Sequence, residues 1–429
     1  MSAQIETVPS VDAARRAGRR LKVLVISPSL PYPVDWGFAT RVFYLIRALA
    51  GSADVTLLCY ASGLTEEAER NLKAYCQGVD IVSPSSPRGG LRKRWRQLAS
   101  VASPSSYQSQ VFRSREMQDA ITRLVQTGQH DIVIVESSQM AGFDFGGARV
   151  ILDEHNIEYE LLERTWRTER SPLRRLYNLS EYLKFRREEI ATWRKVDACL
   201  VTSEREQDVI HRHVPARECI VVPNGVDLDY FNSQPDTSPN DGGIVFTGRI
   251  DYRPNTDAVT WFVTKVLPHV LTKYPTAVFT IVGQGVPDEV RALSGPHVRV
   301  TGRVDDIRPY VLGAAVVVVP IRIGSGTRLK VLEGMAMGKA MVSTTVGCEG
   351  LDVTAGKHLI VADKAQDFAG AVVRLLDDDA ERASLGRAAR ELVQERYGWG
   401  SVARELYPYL LTVTEEAATI RLDHVNSGV

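Results

Sequence analysis

The stretch PIRIGSGTRLKVLEGMAMGKAMVSTTVGCEGL, Pro320 to Leu351, decides the fold. It takes over from the β-branched run AAVVVVP (Ala314 to Pro320), crosses a Gly-Ser-Gly loop and continues as a helix predicted from about Thr327 to Met337. A strand that hands over to a helix in this way aims free backbone N–H groups, and the positive end of the helix dipole, at whatever occupies the loop. Such a place is an anion site. Gly324, Ser325, Gly326 and Thr327 make the loop, and its glycines let a ligand approach the backbone closely. Arg328 and Lys330 add positive charge, and Glu333, farther along the helix, offers a carboxylate to the paired hydroxyls of a ribose. Phosphates near a helix start with an acid beyond them describe a nucleotide. The competing reading has the glycines only breaking the chain and Glu333 pairing with a cation at i,i+3.

Outward from this segment, short β-branched runs alternate with longer helical stretches, which is how a doubly wound parallel sheet is written in sequence. Six runs fall in a first half: Leu21 to Ser27, Ala53 to Tyr60, His130 to Ser138, Arg149 to Asp153, Asp197 to Ser203 and Glu218 to Gly225. Six more fall in a second: Gly242 to Arg249, Ala277 to Gly285, Val298 to Val304, Ala314 to Pro320, Lys339 to Thr345 and His358 to Asp363. With 429 residues, 44% of them hydrophobic, the chain is too long for one ordinary core and too apolar for disorder, so each half is expected to carry its own sheet. The Asn-, Asp-, Ser- and Pro-rich stretch 227–243 is the expected linker. The resulting plan is an N-terminal arm (1–20), a first domain (21–226), the linker, a second domain (244–397), a helix that returns to the first domain (398–416) and a tail (417–429).

Lys+Arg and Asp+Glu both number 52, and a net charge of zero argues against binding of nucleic acid through many phosphates. Five scattered cysteines with no C-x-x-C pair suggest neither a disulfide framework nor a zinc site, and fit a reducing compartment. The longest apolar run, Val311 to Ile321, falls short of the roughly 20 residues of a spanning helix, and the first residues lack the apolar core of a signal peptide. A cytoplasmic protein is expected. From Arg88 to Arg115 there are seven Arg/Lys and no acid, with Leu91, Trp95 and Leu98 at helical spacing. That stretch reads either as a contact with an anionic membrane surface, making the protein peripheral on the inner face, or as a solvated helix.

The Pro320–Leu351 segment, taken with PNGVD (Pro223 to Asp227), FTGRIDYRPNTDAVTWF (Phe246 to Phe262), VTGRVDDIRPY (Val300 to Tyr310) and LPYPVDWGFATRVFYLIRAL from Leu30, resembles the retaining glycosyltransferases of family four. The likeness is greatest to the branch of bacterial exopolysaccharide sugar transferases, and it runs from about Lys22 to Tyr397. It implies the GT-B fold, in which two Rossmann-like domains face a cleft. It also implies a nucleotide-sugar donor, UDP- or GDP-linked and held mainly by the second domain, and a glycan acceptor that is often lipid-linked. Neither a metal nor another cofactor is expected. Two other classes stay open: a GT-B epimerase acting on nucleotide sugars, and a non-catalytic nucleotide-sugar binder.

Carried over by position, Glu333 resembles the second glutamate of the family's E-x7-E motif, which holds the ribose, while the first glutamate is replaced by Ser325. Gly248 and Arg249 match the Gly-Arg segment that meets the diphosphate. The lysine that usually follows about five residues later is Pro254 here, with Arg253 beside it, so Arg328 and Lys330 are expected to take over its charge. The other reading of Arg249 is an ion pair with Asp251. Gly37 matches the first-domain loop that approaches the donor phosphates. His155, in DEHNIEYE after the run ending at Asp153, resembles the histidine placed against the transferred sugar. Its bland alternative is a polar residue in a helix start capped by Asn156. A metal held by Asp153, Glu154 and His155 is disfavoured, because successive strand residues point to opposite faces. Asn224 and Gly225 of PNGVD read as a turn.

Overall fold

Two series of short apolar strands pair into two separate parallel sheets in the computed structural model, which describes residues 20–34, 36–84, 97, 99–232, 240–324 and 326–426. The first sheet holds β1 (Leu21–Ser27), β2 (Ala53–Tyr60), β3 (Cys76–Val82), β4 (Ile132–Glu136), β5 (Val150–Glu154), β6 (Ala198–Val201) and β7 (Glu218–Val221), in the order β3-β2-β1-β4-β5-β6-β7. The second holds β8 (Asn240–Thr247), β9 (Val278–Val282), β10 (Val298–Gly302), β11 (Ala314–Val319), β12 (Met341–Ser343) and β13 (Ile360–Val361), in the order β10-β9-β8-β11-β12-β13. Both are Rossmann-like orders. Strands β4, β5, β6 and β11 are buried along their whole length, which is why they read as unbroken apolar runs. The edge strand β3, CQGVDIV, is absent from the expected set because Gly78 and Asp80 interrupt its pattern and much of it is only half-buried.

Five helices matter below: α1 (Gly37–Ala50) after β1, α2 (Glu158–Thr168) and α3 (Pro172–Lys195) after β5, α4 (Leu329–Ala336) after β11, and α5 (Trp399–Asn426). In each sheet the chain starts at a central strand, winds outward one way and then returns to wind the other. The two reversal points lie between β1 and β4 and between β8 and β11, the places where open α/β sheets bind ligands beyond the strands' C-terminal ends.

The chain divides into two compact units, Met1–Pro223 with Val402–Val429, and Asn224–Ser401. The described part of the 227–243 stretch is fastened within the second unit. Val226 N donates to Tyr397 O at 2.7 Å, Asp227 Oδ1 accepts from the backbone of Asp229 and Tyr230, and Arg308 lies 4.0 Å over the Tyr230 ring. From Val402 onward α5 belongs to the first unit, where Val402, Leu406, Leu410 and Val413 are buried at helical spacing and Arg149 donates to the Val413 carbonyl. No helix among the described residues is long and apolar enough to cross a membrane. Of the basic Arg88–Arg115 stretch, residues 88–96 and 98, with Leu91, Trp95 and Leu98, lie outside the described residues.

Candidate functional site

In the second unit the segments leaving β8 and β11 converge at the reversal point. Lys330, in the first turn of α4, places its Nζ 2.9 Å from Asn255 Oδ1, to which it donates, and 3.8 Å from the centre of the Phe246 ring. Asn255 donates in turn to the Arg249 carbonyl at 2.7 Å. Room for the ammonium exists because residue 248 is glycine: at φ +146° a Cβ would stand 2.7 Å from Nζ. Gly283, at the end of β9, is needed for the same packing, since a Cβ there would lie 1.7 Å from the Gly248 carbonyl oxygen.

Glu333 follows Lys330 by one turn. Burial pushes the Lys330 amine down to about 7, with Glu333 working the other way, and burial pushes the Glu333 carboxyl up to about 7 against the pull of Lys330. Both groups therefore change charge near neutrality. Arg328 donates to the Gly326 carbonyl and lies close over Gly324, where a Cβ would come 2.8 Å from Nη2. Thr327 accepts a hydrogen bond from the Asn224 side chain, so PNGVD does more than turn the chain. Arg249 forms a two-pronged pair with Asp251, at 2.8 and 3.1 Å, on a half-exposed side chain. Ser325 lies outside the described residues.

Pro254, where the resemblance leads one to expect a lysine, is adjacent to Asn255, the residue that receives Lys330.

In the first unit α1 begins at Gly37, and the rings of Trp36, Phe38 and His155 form a stack, with centroids 5.2 Å apart for the first pair and 4.6 Å for the second. Beneath it lies an ionic network whose Arg41, Glu136 and Asp153 are buried. Arg41, from the same helix, donates through Nε and Nη2 to both Asp153 oxygens at 2.9 and 2.6 Å, and through Nη1 to the Val222 carbonyl at 2.8 Å. His155 Nε2 lies 2.7 Å from Glu136 Oε2 and 3.3 Å from Asp153 Oδ2. Burial opposes a charged Asp153, but Arg41 and His155 hold its carboxyl well below the usual range. Burial likewise opposes a charged imidazole, yet Asp153 and Glu136 raise His155 to about 9. Glu136 is pushed upward by burial and by Asp153 beside it, and its Oε1 is buried without a hydrogen-bond partner.

Strand alternation sends Glu154 to the opposite face, where it accepts from Ser138 and from Trp193 Nε1. Among the described residues, Glu136, Asp153 and His155 are the one trio of ligand-type side chains whose ligand atoms lie within 4.8 Å of each other. Arg41 brings a positive charge against that trio from outside. Asn156 does not cap α2; Glu189 of α3 does so from outside, accepting from the backbone of Glu158 and Tyr159 at 2.9 Å each.

Arg41, Glu136 and Asn255 were not among the expected site residues. A signal for two of them existed: Arg41 falls on the apolar face of α1 with Val42, Leu45 and Leu49, and Glu136 closes a wholly buried strand, so each is a charge where the pattern demands none.

Residues 37–230 match the family described as Glycosyltransferase Family 4, and residues 241–378 match Glycosyl transferases group 1. Among solved structures, a sucrose-phosphate synthase from Thermosynechococcus elongatus is similar with a TM-score of 0.68 at 20% identity, over 92% of this chain and 100% of that one. HepE of Anabaena, in complex with UDP, is similar with a TM-score of 0.61 at 14% identity, over 94% and 100%. The two Rossmann-like units therefore make a GT-B glycosyltransferase. Within that class the chain belongs to family four. An uncharacterized 44.6 kDa protein in the cps region of Klebsiella pneumoniae is 23% identical over 88% of this chain and 96% of its own length. The phosphatidyl-myo-inositol mannosyltransferase of Mycolicibacterium smegmatis is 31% identical over 46% of this chain, which spans only 53% of that relative.

Proposed function

We propose that this glycosyltransferase moves a sugar from a nucleoside diphosphate to a hydroxyl of a lipid-linked glycan, with retention of anomeric configuration, in polysaccharide or cell-envelope biosynthesis on the cytoplasmic side. The observation that carries this reading is the Lys330 ammonium held by Asn255 and Phe246 over Gly248, one helical turn from Glu333. Residues 244–397 are the donor side and 21–226 the acceptor side. The relative from a cps region supports the polysaccharide setting, and the UDP-bound neighbour makes uridine the first base to try.

In the proposed reaction the bond from the anomeric carbon to the diphosphate oxygen breaks while the acceptor oxygen bonds to the same face of that carbon. The acceptor's proton passes to the leaving phosphate. Lys330, Arg328, Arg249 and the amides of the Gly324–Thr327 loop stabilise the departing charge in place of a divalent cation. Glu333 holds the ribose, and Gly37 leaves α1 open toward phosphate. His155, as imidazolium, donates to the sugar or the acceptor.

Incubation with UDP-, GDP- and dTDP-sugars, a mannosyl donor among them, tests the reading: free nucleoside diphosphate should appear with the right donor and rise with acceptor glycan. Binding without release would make the protein a binder, and a new sugar nucleotide would make it an epimerase.

A further inference from the structure

The opposite face of β5 presents a second pair of buried carboxyls, and no cation answers it. Glu154 and Glu189 of α3 are both buried, and Ser138, in the turn after β4, stands between them. The Ser138 hydroxyl donates to Glu154 Oε2 and lies 3.4 Å from Glu189 Oε1. Every other donor to the pair is neutral. Trp193 Nε1 gives to Glu154 Oε2 at 2.9 Å, and the backbone N–H groups of Glu158 and Tyr159 give one each to the two Glu189 oxygens. Glu154 Oε1 is buried with no hydrogen-bond partner. Among the described residues, neither acid forms an ion pair with a lysine or arginine.

The titratable groups around the pair are His155 after β5, Glu158 and Tyr159 at the start of α2, and Cys199 on β6. Of these only His155 can be a cation, and its Nε2 is turned to Glu136 and Asp153. Two carboxylates buried so close together without a counter-ion cannot both stay charged. Burial pushes Glu154 up to about 8 and Glu189 well above the usual carboxylate range, and the charge of Glu154 adds to the rise in Glu189. One proton between them leaves a single negative charge, which the hydroxyl, the indole and the two backbone N–H groups can satisfy.

The pair fastens a short turn at both ends. Residues 154–158 begin with Glu154 itself and end where Glu189 receives the first N–H groups of α2, and His155 lies between. The Ser138 side is set by a strained backbone: Ser137 holds φ +83°, which residues with a side chain rarely adopt, while its N–H donates to the Asp153 carbonyl at 3.0 Å.

We propose that Glu154 and Glu189 share one proton and clasp the His155 turn, the clasp loosening when the proton leaves and two carboxylates repel across Ser138. It is a property of the fold and does not rest on the proposed reaction.

Glu154→Gln in the full chain tests it, because the amide has the shape of the protonated acid and needs no proton. Above about 4.5 the unfolded chain has lost a proton that the native one still binds, so stability falls as pH rises toward about 8 and levels off beyond. The unfolding constants of parent and variant should diverge over that range by up to about tenfold per pH unit, the variant being the more stable at alkaline pH. Hydrogen exchange at the Glu158 and Tyr159 amides should accelerate with pH beyond the intrinsic chemistry in the parent and not in the variant. The infrared band of un-ionised carboxylic acid at neutral pH should lose one group's intensity on substitution. A variant that follows the parent at every pH, or a band that does not change, overturns the proposal. So does a Glu154→Gln chain that is less stable than the parent at every pH or fails to fold, since Glu154 would then be needed as a carboxylate.

Discussion

At the C-terminal ends of β4 and β5, Arg41 and His155 face Asp153 and Glu136, and the cations and carboxylates answer each other, with all but the imidazole buried. At the equivalent end of β8 and β11, Lys330 meets an amide oxygen and an aromatic ring instead, and the nearest acid that tempers it is Glu333 on its own helix. Both clusters occupy reversal points of the same kind of sheet. The first is closed electrostatically, and its work is to hold one imidazole in one place and one charge state. The second is left with charge that its surroundings disfavour, and the proposed function makes it the place of the diphosphate. Loss of Arg41 should therefore cost stability in the first cluster, and loss of Lys330 function in the second.

The sharpest way to break the contrast is to remove one cation from each. Arg41→Ala strands the Asp153 carboxylate in the core and should lower unfolding free energy by about 3–5 kcal/mol. Arg41→Met/Asp153→Leu, which removes both charges, should recover most of that loss in a thermal melt. A double variant as unstable as the single one would mean that packing, not charge compensation, dominates the first cluster.

Lys330→Met should do the reverse. Its amine lies far below the ordinary value of 10.5, so the unfolded chain binds this proton more readily than the native one, and the native state is penalised wherever pH falls below 10.5. Replacing it should leave the melting temperature unchanged or raise it, more at acid pH, while sugar transfer falls by about a hundred- to a thousandfold. Calorimetry paired with a nucleoside diphosphate release assay reads both sides. Near-normal transfer would remove Lys330 from the reaction.

Glu333→Gln comes next. A carboxylate that accepts from ribose hydroxyls contributes about 1.5–3 kcal/mol, so UDP should bind at least about tenfold more weakly, with transfer at saturating donor much less affected. Unchanged affinity would show that Glu333 faces only its own lysine.

What sequence could reveal follows the same division. The second cluster lies within one continuous segment, and loop, cations and acid could be placed from Gly324, Arg328, Lys330 and Glu333 because a strand–loop–helix handover fixes their relation locally. Its tertiary half was not legible. Asn255 lies 75 residues from Lys330, and only the folded sheet shows that the lysine enters the space left by Gly248. The first cluster joins Arg41 to Asp153 across 112 residues, and of its members only His155 was singled out. Arg249 shows what a motif leaves open, since its side chain pairs with Asp251 here, the other reading that its neighbours in sequence offered. Burial explains the sheets in the same way: β4 and β11 were plain because both faces are covered, and β3 was invisible because its are not.

The smallest expected effect is a pH dependence that only the second cluster should show. Lys330 loses its proton as pH rises through about 7, and diphosphate prefers the cation, so UDP affinity should fall on the alkaline side. Glu333 gains its proton as pH drops through about 7, and ribose hydroxyls prefer the carboxylate as acceptor, so affinity should also fall on the acid side. The maximum then lies near neutrality, with slopes of at most about tenfold per pH unit on either limb. Bound diphosphate stabilises the charged lysine, so binding above neutrality should take up a proton, which titration calorimetry in buffers of different ionisation enthalpy detects. Lys330→Arg should flatten the alkaline limb alone, because a guanidinium keeps its charge, and Glu333→Gln the acid limb alone. His155, raised to about 9 and paired with two carboxylates, should leave both limbs in place when replaced by Gln. Limbs that vanish in that variant instead would transfer the titration to the first cluster and undo the distinction between them.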